Sequence, residues 1–257
     1  AMKVLRVRRG DTTFYGQLLF EERAVRCLDP TLGLPETTPL SEVSVLPPVA
    51  PSKVVCAQGN FRGRLRELGR GDGDAPMLFL KPPSAIIGSG EAIRLPRAVN
   101  RVEAWGGLAL VLGRACRDIA PEAVPRCLFG FSCANDVTAG DLLTDGPVGR
   151  AKGYDTFAPI GPWIETSVAD PTGLRLRTSI NDAVVQDATT ADMVLSPFAL
   201  VSFVSTIMTL LPGDVILTGS PAGGGVLAPG DEVRVEIDDV GVLINAARGE
   251  AETGPLQ

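Results

Sequence analysis

Leu46-Pro47-Pro48-Val49-Ala50-Pro51 runs through Ser52 into Lys53-Val54-Val55-Cys56, and this junction organises the reading of the chain. Three prolines in six residues fix φ and remove backbone donors, so neither a helix nor a sheet ladder continues through them. Upstream, residues 3–7, 13–20 and 25–28 have β-like composition. Residues 1–50 therefore read as a small N-terminal β subdomain, the proline run as a linker, and residues 51–257 as the main domain. Downstream, 53–56 is an apolar strand and 61–68 a short helix ending near Gly69. Residues 69–76 form a Gly/Asp loop, 77–80 a buried strand and 108–112 a continuous apolar strand. Pro121 starts a helical turn that Pro125 keeps short. The best helix spans 197–211, with Ser196 as N-cap and Pro197 at the first helical position. It is apolar nearly all round, which predicts deep burial. Residues 215–217 resume as a strand, and 232–237 alternate polar and apolar as a half-buried strand does. Few helices, many strands and no regular βαβ alternation predict a mixed α/β, β-rich fold.

The 257 residues include no histidine. Ser-His-Asp and Cys-His machinery and His-containing zinc sites are therefore excluded. Acid-base work falls to Asp, Glu, Lys, Tyr, Cys or water. Twenty-four basic against 30 acidic residues, net −6, with no basic block, argue against nucleic acid. No apolar run is long enough for a membrane span. Five irregularly spaced cysteines without a CxxC read as free thiols. Ala1-Met2-Lys3-Val4 lacks the apolar core of a signal peptide, and with the thiols this predicts a cytoplasmic protein.

Generic motifs fail. Gly219-Ser220-Pro221-Ala222-Gly223 misses the nucleophile-elbow spacing. Gly223-Gly224-Gly225 lacks the Lys-Ser/Thr of a phosphate loop. Taken in order, however, a series becomes specific. Lys53–Cys56 leads to Asn60-Phe61, Leu78-Phe79-Leu80-Lys81-Pro82 and the strand 108–113. Then come Asn135-Asp136-Val137-Thr138-Ala139 and Lys152-Gly153-Tyr154-Asp155-Thr156-Phe157-Ala158-Pro159-Ile160-Gly161-Pro162-Trp163. Leu211-Pro212-Gly213-Asp214, Thr218-Gly219-Ser220-Pro221 and Gly241-Val242-Leu243-Ile244-Asn245 close it. Over roughly residues 50–247 this series resembles the fumarylacetoacetate hydrolase (FAH) family.

The resemblance implies a β-roll fold in the main domain, a homodimer, and a pocket for a small keto-type substrate. It also implies a Mg²⁺ or Mn²⁺ that chelates the substrate and stabilises an enolate. The family's metal-binding Glu-x-Glu corresponds here to Trp105 and Gly107, and of the carboxylates only Asp136 remains. Glu103 lies two residues early. One carboxylate rarely holds Mg²⁺, so no metal and no other cofactor is expected. The family's His-x-x-Glu reads Arg64-Leu65-Arg66-Glu67. Arg64 and Glu67 share a helix face and are expected either to pair on the surface or to clamp a substrate carboxylate. The family's Arg and Gln after the Asn-Asp-Val motif are Gly140 and Leu143. Lys152 survives, as a source of positive charge for an enolate or, desolvated, as a base. Its bland alternative is a structural ion pair with Asp136 or Asp155.

Lys152, Glu67, Arg64 and Asp136 are thus the candidate catalytic residues. Asn60, Phe61, Lys81, Trp105, Leu143, Tyr154, Thr218, Gly219 and Ser220 are the candidate pocket. Trp, Gly, Gly and Leu in place of polar groups predict a drier pocket, suited to a larger, more apolar substrate. Three readings stay open. One is a metal-independent lyase or isomerase (decarboxylation, tautomerisation, dehydration or cyclisation), in catabolism or as a tailoring step of specialised metabolism. Another is a non-catalytic ligand-binding or partner subunit, as in two-part homoprotocatechuate-pathway isomerase/decarboxylases. The last is an ordinary Mg²⁺-dependent hydrolase.

Overall fold

The computed structural model describes residues 2–71, 73–143 and 148–250. Ala1 and Asp72, the latter within the expected 69–76 loop, lie outside them, as do the last residues of the main domain. In chain order, the first strands are β1 (Lys3–Arg9), β2 (Thr12–Leu19), β3 (Ala24–Cys27), β4 (Thr37–Pro39) and β5 (Ser44–Leu46). Then follow β6 (Val54–Gln58), α1 (Arg62–Glu67), β7 (Met77–Lys81), β8 (Ile86–Ile87), β9 (Ile93–Leu95), β10 (Val102–Ala104) and β11 (Gly106–Leu112). The middle of the chain forms β12 (Leu128–Asn135), β13 (Thr138–Ala139), α2 (Val148–Lys152), β14 (Ala158–Glu165), β15 (Arg175–Ile180) and β16 (Ala183–Thr189). The last elements are α3 (Pro197–Ile207), β17 (Val215–Leu217), β18 (Gly225–Val226), β19 (Glu232–Ile237) and β20 (Gly241–Gly249).

The strands form a long sheet in the order β4-β3-β2-β1-β14-β12-β11-β17-β6-β7 and a second sheet in the order β16-β15-β19-β20-β9. A small sheet, β13-β10-β18, lies beside the site. The fold is β-rich with few helices, as the sequence indicates. The N-terminal strands have an apolar cluster of their own, Leu5, Val7, Phe14 and Val25. Yet β1 pairs antiparallel with β14, so their ladder continues into the main sheet rather than stopping at the prolines.

β11 is buried along its whole length, which is why its sequence shows no alternation: both faces meet apolar neighbours. It pairs with β12 on one side and β17 on the other. β17 runs parallel to β6. Asp214 fixes that start: its fully buried carboxylate accepts from the Ser52 and Lys53 backbone and the Ser52 hydroxyl, and pairs with Lys53 Nζ. β7 corrects an expectation, since Met77 and Leu80 are half exposed on the edge of the sheet. α3 is capped as expected, Ser196 Oγ accepting from Ala199 N at 3.3 Å. It ends earlier, at Ile207, because Met208 turns extended and Leu210 bridges to Cys116. One face of α3 is buried and Ile207 is half exposed. Among the described residues no helix is long and apolar enough to cross a membrane.

Candidate active site

β12 ends at Asn135, and Asp136 follows where the strand meets the β10–β11 junction. The two segments are tied twice. Trp105 N donates to Asn135 Oδ1 at 2.8 Å, and Asp136 N donates to Trp105 O at 2.8 Å. Lys81, at the end of β7, and Lys152, at the end of α2, converge on the Asp136 carboxylate. Lys152 Nζ lies 2.5 Å from Oδ2 and Lys81 Nζ 2.9 Å from Oδ1. Lys81 is fully buried, and its three protons go to the carbonyls of Val137 (2.8 Å), Lys152 (3.0 Å) and Phe157 (2.7 Å). It holds the strand end and α2 together while supplying charge to Asp136. Lys152 donates also to Thr138 Oγ1 at 2.7 Å and lies 4.9 Å from the Phe79 ring centroid. Burial pushes the Asp136 carboxyl up, but the Lys152 and Lys81 ammoniums outweigh it and hold the group below the usual carboxylate range. Burial, against the pull of Asp136, holds Lys81 below the usual ammonium range.

Trp105 forms a wall. Its Nε1 donates to Glu103 Oε2 at 3.1 Å, and Arg101 holds the other Glu103 oxygen at 2.5 Å. Gly140 makes room for this: a Cβ there would lie 2.8 Å from Glu103 Cδ. Gly224 does the same on the ring, where a Cβ would come within 2.8 Å of the indole. Arg64 stacks on the indole, its guanidinium carbon 4.0 Å from the ring centroid. Arg64 Nη1 pairs with Glu67 Oε2 at 2.6 Å, and Glu67 Oε1 accepts from Gly223 N at 3.0 Å.

A small cavity is lined by Arg64, Trp105, Asp136, Leu143, Lys152 and Ser220, with Ala57, Gln58 and Gly59 completing it. Gly219 lines a smaller annex beside it. These expected site residues are thus brought together. The others stand behind the wall. Asn60 is fully buried, its amide donating to Leu195 O and Thr218 O and its oxygen accepting from Leu195 N. Thr218 donates to Leu108 O, Phe61 bridges to Met193, and Tyr154 packs on Phe157. These four brace the site and do not line it. Lys81 acts from beneath Asp136, and Glu67 reaches the cavity only through Arg64. Trp105 forms one wall of this cavity.

The family model for the fumarylacetoacetate (FAA) hydrolase C-terminal domain matches residues 53–248. The chain belongs to the FAH family. An uncharacterized Archaeoglobus fulgidus protein is 45% identical over 210 residues, 81% of this chain and 84% of that one. The oxaloacetate tautomerase FAHD2A of Bos taurus is 39% identical over 221 residues, 80% of this chain and 70% of the relative. A crystal structure of 5-carboxymethyl-2-hydroxymuconate delta-isomerase from Mycobacterium smegmatis superposes with a TM-score of 0.88 at 35% identity, over 98% of this chain and 100% of that one.

The divalent cation that the family resemblance implies does not fit the residues present here. Asp136 is already neutralised by two ammoniums, position 105 carries an indole and position 107 no side chain. Glu103 is committed to Trp105 and Arg101. Among the described residues no group of three His, Cys, Asp or Glu side chains could hold a metal ion.

Three contributors escaped the sequence reading. Thr138 shares Lys152 with Asp136; its signal was a hydroxyl two residues beyond the carboxylate. Gln58 lines the cavity as the last residue of β6. Gln186, buried on β16, accepts from Gly106 N and donates to Pro221 O, both at 2.8 Å, joining the loops of Trp105 and Ser220. No local pattern marks it.

Proposed function

We propose that this chain is an FAH-family enzyme acting on a small keto-acid or β-dicarbonyl-type substrate. Its step is of the lyase or isomerase type and runs through an enolate stabilised by its own side chains, without a divalent cation. The observation that carries this reading is the charge balance of the site. Lys81, Lys152 and Arg64 face Asp136 and Glu67, so three cations against two carboxylates leave one positive charge beside a small cavity. Such a site favours a ligand that is, or becomes, an anion. Asp136 and Thr138 take two of the three Lys152 protons, and the third has no acceptor among the described residues. That proton is placed to bond an enolate oxygen as charge develops, and Arg64 to receive a carboxylate in its planar fork. Asp136, held ionised, aims Lys152 at the cavity.

Among decarboxylation, tautomerisation, dehydration and cyclisation, tautomerisation has the most support, since a relative 39% identical is an oxaloacetate tautomerase. A homodimer in the cytoplasm completes the reading, and five free cysteines suit a reducing compartment. One observation favours a second reading, a non-catalytic ligand-binding or partner subunit. Glu67 is turned onto Gly223 N, which leaves Asp136 as the carboxylate lining the cavity among the described residues. Enol–keto conversion of oxaloacetate, followed by ultraviolet absorbance, separates the two. The enzyme reading expects conversion that falls about 10²- to 10³-fold in Lys152→Met, the loss typical of one enolate-stabilising donor. Absence of conversion with retained oxaloacetate binding would establish the second reading.

A further inference from the structure

β11 and β12 carry the site at one end, where Trp105 precedes β11 and Asp136 follows β12. Two cysteines sit at the other end, where the strands are joined. Gly113 N and Arg114 N both donate to Cys127 O, at 2.7 and 3.1 Å, so the chain leaving β11 runs beside the chain entering β12. Cys116 is then held by a two-way bridge to Leu210, each bond 2.9 Å, and Cys127 N donates to Val124 O at 2.9 Å. Cys116 belongs to the main apolar cluster and Cys127 packs against it. Their side chains meet, the Cys116 and Cys127 thiols sharing a hydrogen bond. Cys27 and Cys133 are placed differently, their thiols donating to the carbonyls of Asp29 at 3.3 Å and Gly241 at 3.2 Å. The two members of the pair also differ in access. Cys116 is buried, whereas Cys127 is partly exposed. Burial and the neighbouring sulfur push the Cys116 thiol up to about 11, so Cys127 is the member that meets a reagent first.

We propose that Cys116 and Cys127 form an oxidation site, at which a peroxide converts the thiol pair into a disulfide that clasps the β11–β12 connection. The Cys127 sulfur attacks one peroxide oxygen, the O–O bond breaks, and a water leaves behind a sulfenic acid. The Cys116 sulfur attacks the Cys127 sulfur, the S–O bond breaks, and a second water leaves. Both sulfurs are oxidised, the peroxide is reduced, and the two thiol protons depart in the waters. The clasp closes the segment 116–127 and lies at the far end of both strands from Trp105 and Asp136. It acts on stability and is independent of the chemistry proposed for the site.

The test treats the folded chain with hydrogen peroxide, alkylates the remaining thiols after unfolding, and maps the peptides by mass spectrometry. Free thiols are expected to fall from five to three, with one cross-linked peptide joining Cys116 to Cys127. Closing a loop of this length should raise Tm by roughly 5–10 °C, and dithiothreitol should reverse both changes. Cys127→Ser should keep its remaining thiols free under the same treatment. Cys116→Ser should stop at the Cys127 sulfenic acid, trapped by dimedone. Five thiols left after peroxide, a cross-link through Cys27 or between chains instead, or a cross-link that leaves Tm unchanged would overturn the proposal. The wild-type measurement decides it even if neither variant folds.

Discussion

Replacing Asp136 by Asn removes the negative charge between two buried ammoniums. Lys81 keeps its three carbonyl partners and Lys152 keeps Thr138, so what is lost is charge compensation rather than hydrogen bonding. Breaking a buried pair by deleting one partner costs about 3–5 kcal/mol. With both ammoniums at least 95% buried, Asp136→Asn belongs in that range. For a chain of this size the loss lowers Tm by roughly 10 °C. The pH dependence carries a sign on each side. In the wild type the Asp136 carboxyl is held low, so its contribution is present above the unfolded value and fades as pH falls through the folded one. The variant has nothing to lose there, and the gap narrows in acid. Lys81 is held below its ordinary value by burial, with Asp136 opposing. Removing Asp136 lowers it further. Between the folded and unfolded values the unfolded chain binds more protons, so the variant regains stability as pH rises, by up to about 1.4 kcal/mol per pH unit. Urea unfolding from acid to alkaline pH should therefore show a gap that is largest near neutrality. A gap below about 1 kcal/mol at neutral pH, or one flat with pH, would refute this reasoning.

Other consequences are open to test. Arg64→Lys keeps the charge but loses the planar stack on Trp105, and should weaken pyruvate binding about tenfold by calorimetry. Gly140→Ala puts a Cβ against Glu103, and should cost about 1–3 kcal/mol in urea melts with a shift in tryptophan emission. Asp214→Ala strips the partners from Lys53 Nζ and from the Ser52, Lys53 and Leu211 backbone, and should cost about 3–5 kcal/mol in the same melts. Burial pushes the Cys116 thiol up to about 11 and the Cys133 thiol up to about 12. A thiol reagent at mildly alkaline pH should therefore label Cys27, which is partly exposed, well before either, as read by mass spectrometry.

Local signals read well where local physics decides. Ser196 and Pro197 mark the start of α3, and the alternation of β19 marks its buried face. Where long-range pairing decides, the sequence is silent. α3 stops at Ile207 because Leu210 is taken by Cys116, 94 residues upstream. β7 reads as buried because it is apolar, but its edge position leaves Met77 and Leu80 half exposed. Pro159, Gly161 and Pro162 conceal β14, although that strand joins β1 to β12. The site divides in the same way. The motifs name Asp136, Lys152, Arg64 and Trp105 as altered or retained positions. They do not tell a lining residue from a brace, because Asn60 and Thr218 are as much part of the pattern as Ser220. Nor do they reveal that Glu103 and Gly140 are complementary, one filling the space the other leaves.

Proton exchange at C3 of a 2-oxo acid in deuterated water reports enolate formation whatever the later step. Followed by NMR on 2-oxobutanoate and on oxaloacetate, it is best run with chelator-treated protein. Exchange that persists under chelation and falls about 10²- to 10³-fold in Lys152→Met is the expected result. Exchange that requires added Mg²⁺ or Mn²⁺, or that survives Lys152→Met unchanged, would contradict enolate stabilisation by the protein's own ammonium.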